Sequence, residues 1–288
     1  MPDAKFGCQL PQDNLDIDRL IEIALECERL GYDSVWAYDH LSPFWISSGR
    51  VLECWTLMSA IAARTSRIKI GSLVTNVNLR SPALLAKMTS SLDNISGGRL
   101  IVGLGVGDRL SENELRTYGY RFPPTKERID RLRETIGILK LLWTKDEATF
   151  EGKHFQISQA RNYPKPKQNP HPPIWIGGKH HELLDVTVEM ADGWNCWGLS
   201  RMELAERENY LLSKCVEFER RPESLVKSWA GTIRPEYKGE PYSRVVDEIK
   251  TDLLSKTDGR TDYFIGSFGA ETMSEDYRAF AEAVKSIV

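Results

Sequence analysis

The sequence predicts an α/β protein, a (β/α)8 TIM barrel with an insertion between its fourth and fifth strands. Three observations predict it. Eight short apolar runs recur along the 288 residues, each followed by a longer segment with helical spacing. Parallel strands need helical crossovers, so this alternation implies a parallel sheet, and eight units in a chain of this length suit a closed barrel of about 250 residues better than an open doubly wound sheet. A stretch crowded with proline, residues 162–173, breaks the rhythm once and marks an insertion over about 145–173. No linker, repeat or low-complexity tract divides the chain, so residues 1–288 read as a single domain.

The first strand is read at residues 5–10. Residues 16–30 follow as a helix, with Ile17, Leu20, Ile21, Ala24, Cys27 and Leu30 on one stripe and Gly31 as its stop. The second strand is 34–38 and the second helix 53–64. The third strand covers 68–75. Pro82 suits the first turn of the third helix, which Ser96, Gly97 and Gly98 end. The fourth strand covers 99–106, and a long helix runs over about 125–143 with its apolar stripe at Ile129, Leu132, Ile136, Leu139 and Leu142. Residues 148–157 read as a hairpin turning at Gly152 and Lys153, and Pro164, Pro166, Pro170, Pro172 and Pro173 forbid a helix after it. The alternation then resumes. The fifth strand is 174–177 with a helix to 191, and the sixth is 194–197 with a helix over 200–219. The seventh is 227–233 with a helix over 242–254, and the eighth is 263–266 with the closing helix over 271–287.

Composition narrows the functional classes. Hydrophobic residues make up 41% and charged residues 27% with both signs mixed, which is the balance of a globular protein, and the net charge of -3 lacks the basic footprint of a nucleic-acid binder. The five cysteines are odd in number, widely spaced and without a C-x-x-C pair, so neither a disulfide framework nor a zinc site is expected and a reducing cytoplasm is the natural setting. The N-terminus shows no signal-peptide pattern, and no run of about 18 apolar residues exists. The expected partner is a small-molecule substrate rather than a nucleic acid or a membrane.

In such a barrel the chemistry sits at the C-terminal ends of the strands. The second strand ends in Asp39 and His40, where a carboxylate beside an imidazole suits proton transfer; a helix cap or a surface pair is the plainer alternative. The run Gly103 to Asp108 places glycines at alternate positions, which share one strand face. They either bare the fourth strand to something flat or make room for barrel packing. Asp108 is a candidate acid or a loop cap. Gly177 and Gly178 lead into a helix, whose free N–H groups could face an anion. Other strand ends offer Gln9, Asn195, Trp197, Thr232 and Arg234. No H-x-x-x-H or H-E-x-x-H pattern supports a metal, and no G-x-S-x-G elbow exists.

Four stretches carry a family resemblance: GYDSVWAYDHL at residues 31–41, the segment from IKIGSLVTNVNL to IVGLGVGD at 68–108, RFPPTKERIDRLRETIGILKLLWT at 121–144, and NYPKPKQNPHPPIWIGG at 162–178 with ADGWN at 191–195. On these the chain resembles the bacterial luciferase-like superfamily of flavin and deazaflavin oxidoreductases, most closely the branch that uses coenzyme F420. The resemblance implies the eight-fold barrel, a homodimer and hydride transfer between F420 and an organic substrate. Its alternatives are an FMN-dependent monooxygenase and a non-catalytic flavin-binding protein. It implies that His40 carries a proton, that Asp39 contacts the cofactor and orients His40, and that Asp108 holds the place of an acidic catalytic residue. It also implies a bulge after the third strand with a non-prolyl cis peptide between Ser72 and Leu73, followed by Thr75 as a cofactor contact. Val106 and Gly107 would line the ring, and Gly177 and Gly178 would anchor the cofactor phosphate.

Overall fold

The computed structural model describes residues 5–44, 48–233, 241–257, 261–272 and 274–287, and in it the alternation closes into a barrel. The strands are β1 (Lys5–Gln9), β2 (Ser34–Ala37), β3 (Lys69–Ser72), β4 (Thr75–Asn76), β5 (Leu100–Gly105), β6 (Ala148–Glu151), β7 (Gln156–Ala160), β8 (Ile174–Gly177), β9 (Gly193–Trp197), β10 (Val226–Thr232) and β11 (Tyr263–Ser267). Parallel hydrogen bonding runs β3-β2-β1-β11-β10-β9-β8-β5, and the pairing of β3 with β5 closes the ring. β4 resumes the third strand beyond a bulge and pairs with β5. The helices are α1 (Ile17–Leu30), α2 (Cys54–Arg64), α3 (Pro82–Ser96), α4 (Arg109–Thr117), α5 (Thr125–Thr144), α6 (His181–Met190), α7 (Arg201–Glu217), α8 (Tyr242–Thr257) and α9 (Ser274–Lys285).

Alternation along the strands separates two cores. In β2, Val35 and Ala37 turn outward to pack under the helices, whereas Trp36 turns into the barrel. There it meets Trp175 at 5.0 Å between ring centroids, and Trp175 meets Tyr263 edge-on at 5.3 Å. These aromatics fill the barrel and adjoin Leu73 and Val74 of the bulge. Gly193 is part of this packing, since a Cβ there would come within 2.6 Å of the Trp175 ring.

Local chemistry fixes the joints between elements. Gly31 ends α1 in the left-handed conformation, φ 82°, as its position predicts. Near that end, the Glu28 carboxylate accepts the N–H groups of Ser66, Arg67 and Ile68 at 3.0, 2.8 and 2.9 Å and so clamps the turn into β3. Burial opposes this charge, but the three amides and the Ser66 hydroxyl hold Glu28 down at about 2. The insertion forms a separate two-stranded sheet, β6 with β7, whose turn is held by Glu134 of α5 through the N–H groups of Lys153 and Phe155. Beyond it, Gln168 donates twice to the buried carboxylate of Asp93 on α3. The five cysteines are free and buried, one each in β1, α1, α2, β9 and α7. Among the described residues no helix is long and apolar enough to cross a membrane.

One helix departs from the sequence expectation. α4 follows β5 directly, where no helix is predicted. Its sequence, RLSENELRT, offers only Leu110 and Leu115 as apolar residues, too few for a stripe. It forms because Asp108 caps it, accepting the Ser111 N–H at 2.9 Å, and because Leu115 is buried.

Candidate active site

A cavity of about 450 Å³ opens at the C-terminal ends of the barrel strands. Eight of the ten residues singled out from sequence stand in its wall: Asp39, His40, Leu73, Val106, Gly107, Asp108, Gly177 and Gly178. Ser72 and Thr75 are fully buried and stand outside this wall. The Ser72 hydroxyl donates to the Gly103 carbonyl at 2.8 Å, while the Thr75 hydroxyl has no hydrogen-bond partner among the described residues. Arg234, the predicted end of the seventh strand, lies outside the described residues.

His40 does not pair with Asp39. Successive side chains leaving a strand diverge, and the His40 ring turns to Glu114 of α4, its Nδ1 at 2.9 Å from the carboxylate. The other Glu114 oxygen accepts the Leu41 N–H at 2.7 Å, the Ser42 N–H at 2.9 Å and the Ser42 hydroxyl at 3.0 Å. Burial works against a charge here, but His40 and Ser42 together hold the Glu114 carboxyl below the usual glutamate range. An ionised carboxylate only accepts, so the proton between the two sits on Nδ1, and in the neutral ring Nε2 is then the nitrogen with the lone pair. Phe44 packs on the imidazole at 4.6 Å. Its own N–H donates to Asp13, which also accepts the Tyr38 hydroxyl. Sequence reasoning missed Glu114 because it missed the helix that carries it; an Asp before a charged run, as a cap, was the available signal.

Asp39 has a different task. Arg80 grips both its oxygens, at 2.6 and 2.8 Å, and reaches Glu53 at 2.6 Å with the same nitrogen that makes the second contact. The Asn76 N–H donates to Asp39 at 3.0 Å. Burial pushes the Asp39 carboxyl up, and Arg80 and Asn76 pull against that shift. The pair therefore ties the end of β2 to the far side of the bulge and to the start of α2.

The bulge is displaced by one residue from the expected position. The cis peptide joins Leu73 to Val74, not Ser72 to Leu73. Leu73 is still in the barrel ladder, its N–H donating to the Ala37 carbonyl at 2.8 Å, so the chain leaves the sheet only after it. This also settles what the β5 glycines do. A Cβ on Gly103 would collide with the Ser72 carbonyl, one on Gly105 would lie 2.5 Å from the Val74 side chain, and one on Gly177 would lie 2.8 Å from it. Of the two readings of these glycines, packing holds for Gly103 and Gly105, which with Gly177 of β8 receive the bulge, while Gly105, Gly107 and Gly177 also stand in the cavity wall.

On the far side of β5, Asp108 accepts both the N–H and the hydroxyl of Ser111 through one oxygen, as the cap of α4. Gly107 takes φ 74°. Arg128 of α5, 7% exposed, spends its donors on the carbonyls of Val106, Gly107 and Pro123 and on the Thr125 hydroxyl, which braces this turn from beneath. At β8, Gly178 adopts φ 140°, and its N–H donates to the Asn195 carbonyl at 3.1 Å. That N–H is therefore committed within the barrel. No side chain caps α6, whose N-cap His180 stands in the cavity wall with Lys179.

The chain matches the luciferase-like monooxygenase family over residues 4–230. It is 34% identical over 201 residues to the F420-dependent glucose-6-phosphate dehydrogenase of Amycolatopsis mediterranei, covering 69% of this chain and 59% of that protein. The corresponding enzyme of Gordonia bronchialis is 31% identical over 281 residues, covering 88% of this chain and 82% of the relative. For the first relatives compared, then, the matched region spans about three fifths of their length. In three dimensions the chain superposes on an F420-dependent secondary alcohol dehydrogenase in complex with an F420–acetone adduct, with a TM-score of 0.82, 18% identity and 99% of both chains covered. It also superposes on the coenzyme F420-dependent tetrahydromethanopterin reductase of Methanopyrus kandleri, with a TM-score of 0.81, 17% identity, and 99% and 100% covered. At such identities these two structures speak for the shared fold.

Proposed function

The chain belongs to the luciferase-like monooxygenase family, and from that premise we propose that it is an oxidoreductase that uses coenzyme F420 to exchange a hydride with a small organic substrate. The observation that carries this reading is the His40–Glu114 pair in the cavity wall, a proton-transfer group held in one tautomer at the place where the barrel presents its chemistry. The names of the relatives in two genera support the choice of cofactor.

The residues present suit that coenzyme. Leu73, Val74 and Val106 give the cavity apolar walls for a flat ring system. The uncapped N-terminus of α6, with Lys179 at its entrance, suits the phosphate of the tail, since orphan N–H groups and the helix dipole favour an anion. When bound, the deazaflavin supplies the hydride acceptor or donor. The protein's own share is positioning and proton transfer. His40 takes or returns the substrate's proton at Nε2, and Glu114 fixes the tautomer that makes this possible. Arg80 and Asp39 hold the bulge that shapes one wall. Asp108 serves as the cap that sets α4, and hence Glu114, in register with His40.

Titration of the purified protein with oxidised F420, followed by the cofactor's fluorescence, tests the assignment. Saturable binding with FMN as a poor competitor is expected. Tighter binding of FMN than of F420 would overturn it.

A further inference from the structure

The two residues of β4 face opposite ways, as successive strand residues do. Thr75 is fully buried outside the cavity wall, whereas Asn76, 6% exposed, stands in it. A neighbour fixes the orientation of the Asn76 amide. Its Oδ1 accepts the Asn78 N–H and the Asn78 side-chain amide, both at 3.0 Å, and a backbone N–H can be met only by an acceptor. Asn78 is held in turn by the Val106 carbonyl at 3.1 Å. The backbone N–H of Asn76 is spent on Asp39. What remains is Nδ2, which makes no hydrogen bond among the described residues and lies against Gly107, where a Cβ would come within 2.9 Å of it. The polar groups around it are already paired: Ser111 with Asp108, Arg128 with the Val106 and Gly107 carbonyls, and Asp39 with Arg80. A donor locked in direction, beside the apolar surfaces of Val74 and Val106, is thus left for the occupant of the cavity.

We propose that Asn76 Nδ2 donates to a carbonyl oxygen on the pyrimidinedione edge of the bound deazaflavin and so favours the reduced coenzyme over the oxidised one. The inference rests on the F420 reading of the same cavity. A ring laid on apolar walls loses water from its polar edge, and a carbonyl oxygen stripped of water needs a donor. Among the polar groups of that edge the carbonyl oxygens accept and the ring N–H donates, so an amide NH2 can meet only the former. Reduction adds electron density to the ring and to those oxygens, and a donor already fixed in place stabilises the richer state more. The selectivity belongs to the donor and not to the shape of the residue. A carboxylate at position 76 would keep an acceptor for Asn78 and would repel the same ring oxygen.

Calorimetric titration of oxidised and of borohydride-reduced F420 into the wild type, Asn76→Asp and Asn76→Ala tests this, with thermal unfolding of each protein as the check on its fold. Both variants should bind oxidised F420 about tenfold more weakly, the loss of one hydrogen bond, and reduced F420 about a hundredfold more weakly, the scale of a bond to a charged group. Asn76→Asp should unfold close to the wild-type Tm, since Asn78 keeps its acceptor. A merely structural role would weaken both redox forms by the same factor. Equal losses, or wild-type affinity for both forms in a folded variant, therefore overturn the proposal. Should the carboxylate destabilise the fold, the difference between the two redox forms in Asn76→Ala decides alone. Preference of the wild type for FMN would count against the F420 reading, while the same titrations with oxidised and reduced FMN, which carries the same ring carbonyls, would still decide the role of Asn76. Binding of neither coenzyme overturns both.

Discussion

Asp39 and His40 are adjacent in the chain, yet no hydrogen bond joins their side chains, and the separation has consequences for how each should respond to substitution. His40→Ala removes the proton carrier without touching the ring walls or α6. Turnover should fall at least about tenfold, the usual scale of acid–base catalysis, while a fluorescence titration still shows F420 binding. Unchanged turnover would make His40 a structural residue. Glu114→Gln is the sharper variant. A neutral amide can donate to Nδ1, which moves the imidazole proton to Nε2 and blocks it as a base; kcat should drop by about tenfold or more with KM and F420 affinity nearly as before. Equal loss of cofactor affinity would mean that the variant has merely loosened residues 40–42. The sequence displayed His40 plainly, because its place at a strand end follows from counting strands. It hid the partner, because an Asp-His dipeptide invites a local pairing that strand geometry forbids, and the true carboxylate arrives 74 residues later.

Elements show the same division between what pattern carries and what it does not. Strands and amphipathic helices declared themselves through apolar periodicity, and α1 ends at Gly31 as read. α4 did not, since capping and one buried leucine sustain it without a stripe. The β5 glycines were visible, but their neighbour in the adjoining bulge was not, and only the fold reveals that Val74 fills the space. At β8 the useful test is Gly178→Val. The backbone there has φ 140°, which strains a β-branched residue, and a Cβ would come within 2.6 Å of the Leu183 Cδ1 methyl on α6, so the turn into the helix is disturbed. Binding of intact F420 should weaken strongly, and binding of a truncated deazaflavin without the phosphate tail much less; equal losses would point to a general disturbance of the barrel. The clamp at Glu28 gives a pH prediction. Its folded value, about 2, lies below the ordinary 4.5, so its contribution is present above pH 4.5 and is lost as pH falls toward 2. Glu28→Gln should lower Tm at neutral pH by about 2–4 °C at most, a discounted figure for a largely solvated carboxylate. It should also flatten the fall in Tm between pH 4.5 and 2, and a parallel fall in both proteins would exclude the clamp as its source.

For the molecule as a whole, the length, the eightfold alternation and the proline-marked insertion were enough to read a closed barrel, because topology rules leave few ways to arrange eight parallel strands with helical crossovers. What fills the barrel was not legible, since inward and outward residues in strands such as β2 are both apolar. Trp36 and Trp175 prove to be the filling, and Trp36→Ala should cost about 3–5 kcal/mol and lower Tm by roughly 10 °C, with activity and secondary structure lost in one transition. A shift under a few degrees would show that the barrel interior tolerates a hole. The distribution of the cysteines adds a different consequence. With one thiol sealed in each of β1, α1, α2, β9 and α7, the protein contains its own set of opening reporters. A thiol-reactive dye should label none of the five in the native state within minutes and all five in guanidinium. Under pulse labelling in native buffer, the order in which the five positions react should follow the order in which the barrel comes apart, with no substitution needed to read it.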